Sequence, residues 1–386
     1  MSSDKRLEIG ILRDSKIDTE DRFTKLAGII ESELPSESAK YTDWQLTSLR
    51  WAELLNMWYS GVHSSATAKP LFTHLQTKID KQFASWMDAR YTFLHSQPAV
   101  KPVMVHHVAR YLSRAYEDNS GQKLALIVID GAAIHQWLAI RNVLSDQSPN
   151  LVFKEESIFA WLPTTTAVSR QAIFSGKPPS NFPNSINDTA KEPSLWSQYW
   201  VGQGLNTGNI AYMKGLGELA DLNKVEELIS NTQLKVAGFV VDKVDRIMHG
   251  MELGSIGMHN QVELWAQNGY LAGLIDLCLA KGYKIVITAD HGNIEATGTG
   301  RILEGVVADQ RGERVRVYSN EVLRLSAQQK YAVGMTGSTV GLPQGYFPMY
   351  ASERTAFIQN TTIAVCHGGP NIEEVMVPFV IVERKK

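Results

Sequence analysis

Four short runs of apolar residues stand out in the second part of the chain. Each is five or six residues long and nearly continuous in apolar character, rather than alternating between apolar and polar positions. Runs of this kind are typical of parallel strands that are covered on both faces, and the segments between them favour helices. The pattern therefore predicts an α/β sandwich with a mostly parallel central sheet. The runs are LALIVI (124–129), VAGFVV (236–241), KIVIT (284–288) and TIAVC (362–366).

Residues 1–118 carry a different pattern. Helix-forming and aromatic residues are frequent there, and neither alternating strand-like runs nor glycine-rich turns occur. This pattern predicts a helical region. The polar stretch EDNSGQK at 117–123 then separates it from the apolar runs. We therefore predict a helical N-terminal region over residues 1–118 and an α/β domain over residues 119–386.

The composition is that of an ordinary globular protein. Of the 386 residues, 44% are hydrophobic, and 38 lysine and arginine residues are balanced by 40 aspartate and glutamate residues. The bulk charge therefore does not indicate binding to nucleic acid or to an anionic membrane. The two cysteines, Cys278 and Cys366, lie in apolar segments, which predicts buried free thiols and a reducing, cytoplasmic location. No apolar run has the length of a signal peptide or a membrane span.

Polar residues with metal-binding side chains follow all four apolar runs. In an open parallel sheet, ligands bind at the carboxyl ends of the strands, so these residues are expected to share one edge. One aspartate after one strand is commonly a helix N-cap, and that alternative applies to Asp130 taken alone. Four such positions that together supply carboxylates and imidazoles favour a site for divalent metal ions. The candidate ligands are Asp130, Asp245, His249, Asp290, His291 and His367.

The spacing of Asp245 and His249 places both side chains on one face of a helix or helical turn, from which they can bind the same ion. A solvated helical pair without a ligand is the alternative. Asp242 does not share that face, and it can either support the site or replace Asp245 as the ligand. Asp290 and His291 are adjacent at a strand end, so their side chains can diverge toward two neighbouring ions.

The segment LPTTTAVSRQAIFSG at 162–176 supplies a candidate nucleophile. A Pro-Thr turn leads into a predicted short amphipathic helix, with Thr166 at or near its N-terminus. The unsatisfied N–H groups and the dipole at a helix N-terminus favour an anion such as phosphate. A threonine oxygen held beside a metal ion there is a candidate nucleophile for phosphoryl transfer. The alternative is that Thr164, Thr165 and Thr166 only cap the helix.

Taken in order, these motifs resemble the alkaline phosphatase superfamily. The shared order is Asp-Gly after a first strand, Pro-Thr-x-Thr with a glycine ten positions later, Asp-x-x-x-His, Asp-His-Gly and a late His-Gly-Gly. Within the superfamily, the segments most resemble the PglZ domain, which is associated with BREX-type bacteriophage defence. The resemblance covers about residues 120–386 and implies an alkaline phosphatase-like α/β/α sandwich that is the catalytic domain. The segments are LPTTTAVSRQAIFSGKPP, VDKVDRIMHG, ITADHGN and HGGPNIEEVMVP.

The resemblance also implies a mechanism and a ligand set. It implies two divalent ions, zinc or alternatively manganese, and a covalent phosphothreonine intermediate on Thr166. Where nucleotide pyrophosphatases have an asparagine three positions after the nucleophile, this chain has Ser169 and then Arg170. Either is expected to bind a phosphoryl oxygen, with Arg170 also a catalytic residue, and the preference for monoesters or diesters stays open. The implied ligands are Asp130, Thr166, Asp290 and His291 for one ion, and Asp245, His249 and His367 for the other.

The sequence thus predicts a metal-dependent phosphohydrolase, a phosphodiesterase or phosphatase, that acts on a phosphoester such as a nucleotide or oligonucleotide in bacteriophage defence. Other defence proteins are the expected partners. The alternative is an interaction or scaffold protein of a defence complex whose metal site is mainly structural. All seven candidate ligands, the nucleophile among them, are present, which favours catalysis. A cofactor-independent phosphoglycerate mutase or phosphopentomutase shares the metal chemistry, but those enzymes usually contain a larger inserted domain.

Overall fold

The structure is a computed structural model that describes residues 15–98, 100–118, 121–306, 312–332 and 334–385. Residues 1–14 of the predicted helical region and residues 119 and 120 at the predicted boundary lie outside the described residues. The helices are α1 (Ser15–Ser32), α2 (Tyr41–Tyr59), α3 (Ala68–Arg90), α4 (His107–Glu117), α5 (Ile134–Gln147), α6 (Thr166–Ser175), α7 (Glu192–Gly202), α8 (Asp221–Ile229), α9 (Lys243–His249), α10 (Gly254–Gln267), α11 (Tyr270–Ala280), α12 (Glu321–Tyr331) and α13 (Ile372–Val375). The strands are β1 (Lys123–Ile129), β2 (Leu151–Phe159), β3 (Ile210–Leu216), β4 (Val236–Val241), β5 (Tyr283–Thr288), β6 (Ile294–Gly298), β7 (Val315–Tyr318), β8 (Gly334–Thr336), β9 (Phe347–Ala351), β10 (Thr355–Ala356), β11 (Ile363–Cys366) and β12 (Met376–Arg384). Short 3₁₀ helices lie at Val62–Ser64, Tyr91–Ser96, Pro179–Asn181, Pro183–Ser185 and Thr207–Asn209.

A six-stranded sheet of order β2-β12-β5-β1-β4-β3 is the centre of the α/β part. Strands β5, β1, β4 and β3 are parallel to one another, whereas β12 runs antiparallel to both β5 and β2. Every residue of β4 is buried, as expected for a strand that is covered on both faces. The predicted α/β fold with a mostly parallel sheet is therefore confirmed, and three of the four predicted strands are β1, β4 and β5.

The fourth predicted strand lies outside this sheet. Residues Ile363–Cys366 form β11, which pairs antiparallel with β6 in a separate sheet of order β10-β6-β11. The prediction of a parallel, doubly covered strand at 362–366 was therefore wrong. An apolar run of this length does not by itself distinguish a central strand from one in a small sheet, and Ile363 is in fact 60% exposed. A third sheet has the order β7-β9-β8.

The described part of the predicted N-terminal region is helical, which confirms that prediction. Its helices pack against the α/β part, because the buried side chains of Trp44, Trp51 and Trp86 belong to the same hydrophobic cluster as β1, β4 and β5. Polar contacts cross the same junction: Gln45 Nε2 donates a 2.6 Å hydrogen bond to the carbonyl oxygen of Ser157 in β2. The division of the chain into domains after residue 118 stays a prediction.

Helix α6 begins at Thr166, as predicted, but it is not amphipathic. Its residues 167–175 are all buried, so the predicted exposed face was wrong. The physical reason is that the helix packs against α4 and α7 and onto β4, where a Cβ at Gly238 would lie 3.0 Å from the Phe174 ring. Thr166 is the one residue of the helix that is partly exposed. The first residue of α6 is therefore the one that a ligand can reach.

Both cysteines are buried, as predicted. Burial raises the pKa of the Cys278 thiol to about 12, so this group stays protonated at neutral pH. Within the described ranges, none of the helices combines the length and the apolar character that crossing a membrane requires.

Candidate metal centre

The candidate ligands converge where β5, β1 and β4 end side by side in the sheet. Asp130 directly follows β1, Asp290 lies two residues after β5, and Asp245 lies in α9 after β4. Gly131 has a φ of +70°, which favours glycine, and lies between these segments. A Cβ at Gly131 would be 3.6 Å from Asp245 Cβ and 3.6 Å from His291 Cε1. The strand order therefore brings three of the predicted segments into contact.

Asp130, Asp290 and His291 form the tightest group of candidate ligands. Each offers one ligand atom, and these atoms all lie within 4.8 Å of one another. Asp290 Oδ1 accepts 3.0 Å hydrogen bonds from the backbone N–H groups of Gly131 and His291, which orient the carboxylate. Asp290 Oδ2 and Asp130 Oδ1 are buried and have no hydrogen-bond partner. Since buried carboxylate oxygens are costly without compensation, these residues fit a divalent cation.

Charge repulsion supports the same conclusion. Burial raises the pKa of Asp130 well above its usual value, and the carboxylate of Asp290 raises it further, although Arg170 acts in the opposite direction. A cation between the two carboxylates would keep both ionised. Among the side chains that the structure describes, no other group of three histidines, cysteines or carboxylates has this spacing. The ligand atoms of the second predicted set, Asp245, His249 and His367, are therefore not as closely grouped as those of the first set.

The rings of His291 and His367 stack with their centroids 4.0 Å apart. His291 Nδ1 lies 3.0 Å from the carbonyl oxygen of Gly292, and His367 Nδ1 lies 2.8 Å from that of Thr164. Because a carbonyl oxygen only accepts, Nδ1 carries the proton in each ring, and in the neutral ring the Nε2 lone pair is available to a metal. Burial and the adjacent His367 lower the pKa of His291 to about 4, so that its ring is neutral at physiological pH.

The position of His367 follows from the small sheet. Cys366 at the end of β11 pairs with Ile294 at the start of β6, and β6 begins three residues after His291. The antiparallel pairing therefore carries His367 back to the end of β5. This explains why the predicted ligand reaches the centre although its strand was assigned to the wrong sheet.

The loop after β11 is also tied to the turn before α6. Thr164 Oγ1 donates a 2.7 Å hydrogen bond to the carbonyl oxygen of Gly369 and accepts a 3.1 Å hydrogen bond from the N–H of Gly368. Gly369 N–H in turn donates to Glu374 Oε1, at 2.7 Å, and Glu374 is paired with the buried Arg314. Thr164 therefore connects two loops, and the alternative that it only caps α6 does not describe its contacts.

Thr166 lies at the edge of this centre. Its Oγ1 is 3.1 Å from His291 Nε2, and since that nitrogen is unprotonated in the neutral ring, the hydroxyl donates. The first N–H groups of a helix have no partner within the helix, and the helix dipole is positive there. A phosphoryl group beside Thr166 would therefore face both the hydroxyl and the N-terminus of α6.

Asp245 and His249 share one face of α9, as their spacing predicted. Asp245 Oδ2 lies 3.1 Å from His249 Nε2. Burial acts to raise the pKa of Asp245, but the hydrogen bond and the charge of His249 outweigh it and lower the pKa. Asp242 is instead the residue before the first turn of α9, and its Oδ1 accepts a hydrogen bond from Gly215 N–H in β3. The structure thus places Asp245, rather than Asp242, next to His249.

Ser169 and Arg170 are buried, and both have protein partners. Ser169 Oγ accepts a 3.1 Å hydrogen bond from the backbone N–H of Trp161. Arg170 forms ion pairs with Asp130 and Glu192. Their predicted contacts with substrate stay a prediction.

Some buried residues that support the centre were not identified from the sequence. Asn293 Nδ2 donates a 2.7 Å hydrogen bond to the carbonyl oxygen of Gly131, and Gln136 Nε2 donates to Asn293 Oδ1, which ties the turn after β1 to the segment after β5. Asn293 belongs to the Asp-His-Gly-Asn motif, and Glu374 lies in the Asn-x-x-Glu pattern of a capping box, so a sequence pattern could have identified each of them. No such pattern marks Glu192.

The mostly parallel sheet carries an aspartate and histidine cluster at its carboxyl ends. The family described as the BREX system PglZ alkaline phosphatase-like domain matches residues 109–382. The match covers more than half of the chain, so the chain belongs to the PglZ family. The resemblance that the motifs indicated is therefore confirmed.

Solved structures that are similar to the chain share little sequence with it. Murine ectonucleotide pyrophosphatase/phosphodiesterase 5 is 12% identical, with a TM-score of 0.50 over 67% of this chain and 88% of that chain. Phosphonoacetate hydrolase from Sinorhizobium meliloti 1021, solved with phosphonoformate, is 15% identical, with a TM-score of 0.46 over 69% of this chain and 90% of that chain. At such identities the likeness to the murine protein shows the fold alone. No curated protein matches the chain.

Proposed function

We propose that this protein is a metal-dependent phosphohydrolase, a phosphodiesterase or phosphatase, with Thr166 as its nucleophile. One observation carries the proposal. The partly exposed Thr166 hydroxyl lies at a helix N-terminus, 3.1 Å from His291 Nε2, and His291 clusters with Asp130 and Asp290, whose buried oxygens lack partners. Membership of an alkaline phosphatase-like family supports the same chemistry.

Two divalent ions are proposed as cofactors, zinc or alternatively manganese, because the donors are carboxylates and imidazoles without thiolates. When bound, such ions supply Lewis-acid stabilisation of charge on phosphoryl oxygens. The cluster at the end of β5 and β1 supports the first position, and the Asp245–His249 pair beside it supports the second. The proposed ligands are Asp130, Thr166, Asp290 and His291 for one ion, and Asp245, His249 and His367 for the other.

The chain's own residues then have distinct tasks. His291 keeps its Nε2 3.1 Å from Thr166 Oγ1, so that both atoms would reach the same ion. The Thr166 hydroxyl loses its proton to solvent as Oγ1 attacks phosphorus in line, the bond to the leaving oxygen breaks, and that oxygen takes up a proton from solvent; water then hydrolyses the phosphothreonine to phosphate and free Thr166. The N-terminus of α6 stabilises the phosphoryl oxygens during both steps.

Thr166→Ala tests this proposal. We expect turnover of bis-para-nitrophenyl phosphate or para-nitrophenyl phosphate to fall by on the order of 1000-fold or more, because the variant lacks the oxygen that forms the covalent intermediate. Thr166→Ser should retain part of the activity. Ser175→Ala is the matched control, since it removes a hydroxyl from the same helix about 14 Å away along the axis. A Thr166→Ala protein as active as the parent would exclude the covalent mechanism, and a parent protein without activity would favour the scaffold alternative.

We further propose that the substrate is a nucleotide or oligonucleotide and that the activity serves bacteriophage defence together with other defence proteins. The description of the matched family, which names the BREX system, supports this role. In cells that carry the complete defence system, Thr166→Ala should abolish protection against phage while protein levels stay unchanged. Protection that persisted would assign the protein a non-catalytic role.

A further inference from the structure

Arg170 joins the metal centre to a series of buried polar side chains. Its Nη1 donates to Asp130 Oδ2, and its Nε donates a 2.8 Å hydrogen bond to Glu192 Oε1. The hydroxyl of Tyr212 donates to the other oxygen of Glu192. The Arg170 side chain is 6% exposed and that of Glu192 is 0% exposed. This Asp130–Arg170–Glu192–Tyr212 series links the turn after β1 to α6, α7 and β3.

We propose that Arg170 and Glu192 are positioning residues that set the affinity of the Asp130 side of the centre for its divalent ion. The inference rests on the metal site of the proposed function. Arg170 occupies one oxygen of Asp130 and leaves Oδ1, which has no protein partner, as the ligand atom. Glu192 holds Arg170 in place, and Tyr212 holds Glu192. The orientation of the metal ligand Asp130 therefore depends on Glu192 of α7, a helix that contributes no metal ligand itself.

The charges of these side chains agree with this role. Asp130, Asp290 and Glu192 are three buried carboxylates, and Arg170 is the cation that the structure places among them. Three negative charges and one positive charge leave a net charge of −2, which one divalent ion balances. Buried charges are tolerated when they are compensated, so neutralising Glu192 would disturb this balance as well as release Arg170.

The same contacts argue against direct phosphate binding by Arg170. A guanidinium binds phosphate best through two parallel N–H groups on one side. Nη1 and Nε of Arg170 each donate to a carboxylate and the side chain is only 6% exposed, so little of the guanidinium is accessible to a phosphate. Arg170 therefore acts on Asp130, and a substrate contact is not needed to explain its position.

Zinc titration of the metal-free, full-length protein against a chromophoric chelator tests the inference without any activity measurement. Glu192→Gln should weaken zinc binding at one of the two positions by about 10- to 100-fold, as loss of a partner behind a ligand typically does, and leave the other position unchanged. Tyr212→Phe should show a smaller loss in the same position. Arg170→Lys should restore part of the affinity that Arg170→Met loses, because a lysine can still donate a hydrogen bond to Asp130.

Glu373→Gln is the matched control, because Glu373 is another buried glutamate that pairs with an arginine, Arg354, and it has no link to Asp130. If Glu192→Gln does not fold, the double variant Arg170→Met with Glu192→Met provides a second test, because apolar pairs often replace buried ion pairs without loss of stability. Parent-like zinc affinity in these variants, or an equal loss in Glu373→Gln, would overturn the inference. A parent protein that binds no zinc would overturn the proposed function itself.

Discussion

Some residues of the metal centre can be identified from the sequence alone, whereas others cannot. Asp130, Asp290 and His367 lie within two residues of an apolar run, and short-range order alone brought them to attention. Glu192 lies 22 residues from Arg170, in a polar segment without periodicity. The contact of these two residues depends on how α6 and α7 pack, and no local pattern encodes it. Sequence order therefore singles out residues that closely follow a strand, whereas a residue such as Glu192 is found only from the tertiary structure.

Removal of individual imidazoles should separate the two metal positions. His291→Ala is expected to lose one bound ion and His367→Ala the other, because the Nε2 lone pair of each neutral ring is available as a ligand. Elemental analysis after reconstitution with zinc and gel filtration measures the number of ions per chain. His135→Ala is the control, since it truncates a buried histidine elsewhere. Parent-like zinc content in both variants would contradict the proposed ligands.

At the level of elements, continuous apolar runs predicted the parallel strands β1, β4 and β5, and their order explains the convergence of the ligands. Strands β2, β3 and β12 of the same sheet were missed because their sequences differ from that pattern. β2 carries Lys154, Glu155 and Glu156 at partly or fully exposed positions, and β12 contains Pro378, which cannot donate to a neighbouring strand. Edge position and antiparallel pairing become evident only from the tertiary structure.

The junction between the N-terminal helices and the α/β part contains charged side chains that are buried or partly buried. Arg354 pairs with Asp80 of α3 through 2.7 and 3.0 Å hydrogen bonds and with Glu373 of α13 through a 2.6 Å hydrogen bond. Trp51 of α2 donates to the same Glu373. Losing one member of such a buried group leaves an uncompensated charge, so these contacts hold the helices on the sheet.

Limited proteolysis tests the predicted boundary at 118/119 together with this junction. We expect cleavage within 117–123 to give two fragments that elute together in gel filtration, because the helices share a hydrophobic core with the sheet. In Arg354→Met the fragments should separate more readily. Arg384→Met, which removes an exposed ion pair with Asp276, serves as the control. First cleavage in the middle of 124–385 would argue against the boundary.

On the scale of the whole molecule, the core contains several histidines that are neutral in the folded state. Burial lowers the pKa of His106 to about 2, of His135 to about 3, and of His107 and His259 to about 4. Between these values and about 6.5, the unfolded chain binds more protons at these positions, so they make the folded state less stable as the pH falls. Asp130 acts in the opposite direction, since its pKa is raised.

His135 allows this effect to be measured separately. His135 lies in α5, and its ring contacts that of Tyr59. Burial lowers its pKa, and the charges of His259 and Arg354 lower it further. Glu373 lines the same small cavity. A histidine that stays neutral in the folded state costs about 2 kcal/mol of stability between about pH 7.5 and about pH 5. His135→Gln should therefore lose about 2 kcal/mol less than the parent over this interval, in urea unfolding of the chelator-treated protein. His74→Gln, at a ring that is 62% exposed, is the control. Equal pH dependence in the parent and His135→Gln would show that His135 gains its proton without unfolding.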